Sequence, residues 1–361
     1  MTNISRCGRN LTLIALTAFV GLFSARLAAV TFPDLYTVVV TPEPGVQDRR
    51  TAAIRLGMAS LLERITGRTG AGLEPELQHL VENANAYLNS YALLDAQRAQ
   101  VGFRGSNVEA AVAEAGWPIW GAERPLTLLW IAVDAGNGER ALLSENFDPG
   151  EWSPEMSRLM QSVETQLRDV ARQRGLPVTL PLLDLVDLQE IEFADVWGGF
   201  DDRIELASQR YGADAYLAAQ VRSGLFGLDI RWTLAERGRR RIVLSTTVEE
   251  GMGWVAEQYA SQYGIMGGNR SMRITVLDIE TLSDYGRVMS YLESLSMLAS
   301  VDVEDFNGTE LNLRVAARGD ETVLQRVLAL GGVLVPSQSP RPFQGGATGD
   351  LRFEVVSGQQ R

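Results

Sequence analysis

The stretch "RYGADAYLAAQVR", Arg210 to Arg222, decides how the fold is read. Arg210 and Tyr211 end a helix, Gly212 supplies the left-handed residue that follows it, and Asp214 supports the turn. From Ala215 the side chains alternate. Ala215, Leu217, Ala219 and Val221 form the more apolar set, and Tyr216, Ala218 and Gln220 the other, as across the two faces of a strand. A helix that passes into a strand within three residues is a joint between packed layers. The Gly-Ala-Asp turn therefore reads as structural rather than catalytic.

Outward from this joint the same layering repeats. In "LTLLWIAVD" Leu126 leads into Thr127 to Asp134, nearly all apolar as a central strand should be, and "GNG" at Gly136 to Gly138 turns it into the hairpin partner "RALLSE". Upstream, "LYTVVVTPE" (Leu35 to Glu43) predicts a strand. A helix over Arg49 to Thr66 follows, with Ile54, Met58, Leu61, Leu62 and Ile65 on one face. Met156 to Arg174 predicts a long helix, and "PVTLPLLDL" (Pro177 to Leu185) a buried strand. After the joint, strands are expected at Ala215 to Arg222, Leu228 to Glu236 and Arg241 to Glu249, then a helix from Gly253 to Tyr263. Beyond "GIMGGN" (Gly264 to Asn269), strand, helix, a hairpin around Asn307-Gly308, helix and strand give the order βαββαβ, a ferredoxin-like split unit.

The expected fold class is thus α+β (mixed α/β), built as three small units of mixed sheets with helices mainly on one face. The boundaries expected are a signal peptide over 1–29, a first α/β domain over 30–148 and a second over 149–266. The ferredoxin-like unit spans 267–336, and a flexible tail over 337–361 carries an edge strand in "LRFEVV".

The first 29 residues hold Arg6, Arg9 and Arg26 and no acid, around the apolar run "LTLIALTAFVGLFSA" (Leu11 to Ala25). That run falls short of the roughly 20 apolar residues of a membrane span, and "LAA" at Leu27 to Ala29 resembles a cleavage site. Export to the periplasm is expected, with no integral span once the signal is cut. Leu27 is large for its position, which makes an uncleaved N-terminal anchor the alternative. Without the leader, 30 basic residues face 45 acidic ones, a net charge of −15. That charge opposes nucleic-acid binding, which depends on a basic face. Cys7 lies inside the leader, so the mature chain has no cysteine, and every basic residue other than His79 is arginine. Lysine nucleophiles and the phosphate-loop lysine are therefore excluded. With one histidine and no cysteine, ordinary zinc and copper sites are excluded as well.

The remaining chemistry lies in carboxylates and aromatics. Asp184 and Asp187, in "LPLLDLVDL", follow an expected strand, where paired acids cap a helix or hold Mg²⁺ or Ca²⁺ for hydrolysis. "WPIWGAERP" (Trp117 to Pro125) and "DVWGGF" (Asp195 to Phe200) set tryptophan beside glycine, so Trp117, Trp120, Trp197 and Phe200 are the candidate binding residues. The bland reading of these loops is packing between layers. "RGRRR", with Arg237 and Arg239 to Arg241, is a basic cluster that reads as a solvated hairpin tip or as a clamp for an acidic partner. No nucleophile-base set and no cofactor fingerprint emerges. The expected function is a non-enzymatic envelope binding or scaffold protein with a protein partner; the alternative is a hydrolase centred on Asp184 and Asp187.

Segments from "YTVVVTPEPGVQDRRTAAIRLGMASLLERITG" through "WPIWGAERPLTLLWIAVD", "GLPVTLPLLDLVD", "DVWGGF" and "RYGADAYLAAQVR" resemble the exported bacterial family called domain of unknown function 2066. That resemblance implies an exported protein of Gram-negative bacteria and brings no activity, ligand or site residue with it.

Overall fold

The computed structural model describes residues 32, 34–224, 227–337 and 350–356. The expected leader, 1–29, lies outside them, as does most of the expected flexible tail. Among the described residues no helix is long and apolar enough to cross a membrane.

The first unit holds β1 (Thr37–Val40), α1 (Arg49–Thr66), α2 (Pro75–Glu82), β2 (Leu88–Leu93), β3 (Ala99–Phe103) and α3 (Gly105–Glu114). Its antiparallel sheet runs β1-β3-β2. Helix α1 has the expected bounds, because Asp48 accepts a hydrogen bond from the Thr51 N–H and Gly67 takes the left-handed conformation at its end. Ile54, Met58, Leu61, Leu62 and Ile65 are all buried beneath the sheet.

The middle of the chain supplies β4 (Thr127–Asp134), β5 (Arg140–Leu142), α4 (Pro154–Arg174), β6 (Val178–Thr179), α5 (Asp187–Glu190), α6 (Phe193–Gly198), α7 (Asp201–Ser208), β7 (Ala215–Gly224), β8 (Gly227–Glu236), β9 (Arg239–Ser245) and α8 (Val248–Tyr263). Here the structure departs from the expected boundary at 148/149. β4 pairs in parallel with β7, from Thr127 opposite Ala215 to Asp134 opposite Arg222. The two most apolar strands of the expected first and second domains therefore lie side by side in one sheet, ordered β5-β4-β7-β8-β9 with β6 against β4. A strand whose eight residues are all buried needs a neighbour on each edge and cover on each face, and only this sheet provides both.

Cover comes from both faces of this sheet rather than mainly one. α4 and α8 pack against Leu129, Ile131, Leu217 and Trp232. α6 and α7 pack against Leu128, Trp130, Tyr216 and Ala218 on the other face. The alternation of the opening stretch thus divides two apolar cores, one of them smaller. Gly212 has φ 59, and the Asp214 carboxylate accepts from the N–H groups of Leu126 (2.8 Å) and Gly331 (3.3 Å). Burial pushes the Asp214 carboxyl above its usual range.

Two expected bounds shift. "PVTLPLLDL" forms only the two-residue β6, and Leu183 beyond it has φ 50, which no strand tolerates. β9 stops at Ser245, because the Thr247 hydroxyl accepts from the Glu250 N–H and starts α8 five residues early. The β8–β9 turn places Arg237 (φ 47) and Gly238 (φ 72) in the left-handed region, the geometry of a two-residue hairpin that favours Asn-Gly. Arg237→Asn is expected to stabilise the fold by about 1 kcal/mol, read as a raised urea midpoint, since arginine is strained at this φ.

The last unit contains β10 (Asn269–Leu277), α9 (Leu282–Ser294), β11 (Leu298–Asn307), β12 (Glu310–Arg318), α10 (Glu321–Leu328) and β13 (Leu334–Pro336), the expected βαββαβ order. "LRFEVV" forms β14 (Asp350–Val355), but not at the edge. It lies inside the sheet, ordered β11-β12-β10-β14-β13, parallel to β10 and antiparallel to β13. Leu351, Phe353 and Val355 alternate into the core, and a strand so buried on one face is best held by ladders on both sides. The described residues form an α+β assembly of three sheets.

Candidate functional site

Asp184 and Asp187 do come together, around a residue that sequence reasoning missed. The Arg210 guanidinium donates to Asp184 at 2.7 and 3.0 Å and to Asp187 at 2.9 Å. Asp187 is buried and also accepts from the Leu183 N–H and the Tyr211 hydroxyl. Arg210, by hydrogen bond first and with help from the Asp187 N–H, holds the Asp184 carboxyl far below the usual range. The carboxylate oxygens expected to take Mg²⁺ or Ca²⁺ are therefore turned to a cation that the chain itself provides. Among the described residues no group of three or more histidines, cysteines or acids is placed to hold a metal ion. The cluster clamps the loop before α5 to the end of α7. Arg210 and Tyr211 stand in the opening stretch, five and four residues before the strand, and no local pattern ties them to acids more than twenty residues away.

The tryptophans do not form one surface. Trp120 is 1 % exposed, which corrects the expectation that it reaches solvent. Its ring lies 3.8 Å from the Arg124 guanidinium and 6.0 Å from the Tyr259 ring. Arg124 is itself fully buried and donates five hydrogen bonds to carbonyls at the ends of α1 and α4 and in the Trp120–Gly121 segment. The "WPIWGAERP" loop is thus a joint between units. Trp117 is half-buried on the core of the first unit, with the Arg68 guanidinium 5.5 Å above its ring. His79 is exposed on α2.

Trp197 and Phe200 are placed differently. "DVWGGF" is not a loop as expected: a reciprocal Glu192/Asp195 capping box starts α6, and Trp197 sits in its last turn. Trp197 stacks on Phe193, four residues back, at 5.3 Å and 20°. The Arg222 guanidinium also lies over the Trp197 ring, at 5.2 Å, while Arg140 lies 6.0 Å from Phe193. Phe200 follows, 57 % exposed, at the junction with α7.

Trp197 walls an open cleft of about 520 Å³ over β7, β8 and β9, with Gln220, Arg222, Arg231, Leu244 and Ser245 also lining it. The register explains its floor. Gln220, Arg231 and Leu244 lie in one row across the three strands, and Ala218, Thr233 and Ile242 in the next. α6 and α7 cover only the β4–β7 side of this face, so Ile242 (44 % exposed) and Leu244 (73 %) remain open. Arg240 is paired with Asp201 at 2.6 Å. Among the described residues Arg222 and Arg231 form no ion pair, although Asp229 stands opposite Arg222. The cleft thus sets an aromatic wall and two guanidiniums without an ion pair over a mixed floor in which Leu244 is exposed, with Asp229 the acid on its lining. Guanidiniums beside an aromatic ring are the groups that suit a carboxylate or phosphate attached to an apolar body.

A family model described as Domain of unknown function (DUF8605) matches residues 29–121. No curated protein and no solved structure matches the chain. The match corrects the resemblance to domain of unknown function 2066, for it is to a different domain. Its span coincides with the β1-β3-β2 unit and stops just before Arg124, whose hydrogen bonds tie the end of α1 to the end of α4. The cleft lies outside the matched residues.

Proposed function

We propose that this chain is an exported, non-enzymatic binding protein of the cell envelope, acting in the periplasm, whose β7–β9 cleft receives an anionic group of a protein partner. The observation that carries the reading is the Trp197–Arg222 stack beside the unpaired Arg231, over the exposed Leu244. Aromatic and arginine side chains of this kind are the usual anchors of interfaces. Export rests on the charged start and apolar run of residues 1–29. The acidic clamp at Arg210 supports the reading indirectly, since it commits the carboxylates of the hydrolase alternative to structure.

A photo-crosslinking residue in place of Leu244, in the full chain expressed in cells, tests it. The expected result is a discrete adduct in the periplasmic fraction. Trp197→Ala or Arg231→Glu should abolish it while leaving the melting temperature within a few degrees. An adduct that persists in both variants, or a protein found only in the cytoplasm, would refute the reading.

A further inference from the structure

β9 closes one edge of the central sheet, and among the described residues nothing pairs with its outer side. It is seven residues long, and it exposes Ile242 and Leu244. A long edge of this kind templates pairing with another chain unless it is blocked. The "RGRRR" cluster acquires a position here: Arg239, Arg240 and Arg241 are the first three residues of the strand. Through the register, Arg239 and Arg241 share a face with Glu236 and Leu234, while Arg240, Ile242 and Leu244 share the cleft face.

We propose that β9 accepts an extended acidic segment of the partner as an added strand, a reading that rests on the anionic cleft proposed above and names what fills it. An incoming strand opposite Arg239 to Arg241 meets the guanidiniums of Arg239 and Arg241 on one face, while Arg240 on the cleft face is already held by Asp201, so the strand carries acids at the two alternate positions that face Arg239 and Arg241. Opposite Ile242 and Leu244 it carries apolar or small residues. In the row of Leu244 and Arg231 its side chain stands about 5 Å from Leu244 and about 10 Å from the Arg231 backbone, within reach of a long guanidinium. Main-chain hydrogen bonds supply affinity and the alternate side chains supply selectivity, as in other strand additions.

Arginines at an edge also deter self-pairing. Edge protection accounts for Arg239 to Arg241. It does not account for Arg231 and Arg222, which lie one and two strands inward and are uncommitted to any acid among the described residues. A second copy is a poor occupant, because the chain carries a net charge of −12 and would bring two arginine-bearing edges together.

The test uses the purified chain and a labelled synthetic peptide of three glutamates followed by alternating valine and threonine, together with its reversed sequence. One orientation should bind. Arg239→Glu with Arg241→Glu should weaken it at least tenfold, and a peptide with lysines in place of the glutamates should regain affinity for that variant. N-methylation of alternate backbone nitrogens keeps every charge and removes one edge of the peptide; in one of the two registers it should abolish binding. If both N-methylated peptides bind as the parent does, strand addition is wrong and the anionic cleft stands. If neither orientation binds at millimolar concentration, the acidic partner itself is wrong. A concentration-dependent dimer lost in Leu244→Arg would assign the edge to a second copy and overturn the proposal.

Discussion

Arg124→Met is expected to lower stability by about 3–5 kcal/mol, since it leaves several buried carbonyls without a donor at about 1–3 kcal/mol each. The guanidinium is fully buried and donates to the carbonyls of Trp120, Gly121, Arg64, Arg174 and Gly175 at 2.9 to 3.0 Å. Three of these belong to the ends of α1 and α4, where carbonyls have no partner within the helix and the dipole is negative. Arg64 donates to the Arg172 and Gln173 carbonyls at the end of α4, and Arg174 to the Gly67 carbonyl at the end of α1. Burial pushes the Arg124 guanidinium down from its ordinary pKa, and the helix ends offset that cost. Methionine fills the volume under Trp120 and satisfies none of the carbonyls. Arg124→Lys keeps the charge but not the planar fork, so it should recover less than half the loss. Urea denaturation at constant m-value measures both variants. A loss under about 1 kcal/mol for Arg124→Met would show that the units are held together elsewhere.

Asp187→Ala should cost about 2 kcal/mol, less than a fully buried pair, because Arg210 is about one-third exposed. The substitution strips the Leu183 N–H and the Tyr211 hydroxyl of their acceptor and leaves Arg210 only the exposed Asp184. Asp184 itself sets a pH signature. Its folded carboxyl titrates below the unfolded value of about 3.9, so the stability it contributes is fully present above that pH and is lost as pH falls further. The wild-type melting curve should therefore drop more steeply below about pH 4 than that of Asp184→Asn. Millimolar Mg²⁺ should leave the melting temperature unchanged at neutral pH, since the carboxylate oxygens already face Arg210. A rise that disappears in Asp184→Asn would restore the metal reading.

The sequence by itself determined the elements whose signals are local. α1 and β4 have the expected bounds because a cap, a glycine stop and an unbroken apolar run each act within a few residues. The βαββαβ order of the last unit was legible, and its hairpin forms one residue beyond the expected pair, turning on Gly308 and Thr309 while Asn307 pairs with Glu310; the Gly-Ala-Asp joint followed from one left-handed glycine. Tertiary structure alone decided which strands meet. Leu126 to Asp134 states that it must be buried on both faces but does not name Ala215 to Gly224 as its neighbour, since parallel pairing leaves no mark in either strand. "LRFEVV" likewise shows its alternation but not that it enters between β10 and β13. The site divides along the same line. Trp197 was legible as an aromatic beside glycine, and Trp120, with the same local signature, is a core residue because Arg124 lies against it. The places of Arg210 beside two acids and of Arg231 in the cleft were invisible. An arginine is defined by the acid it meets or fails to meet, and that depends on folded distance rather than on sequence spacing.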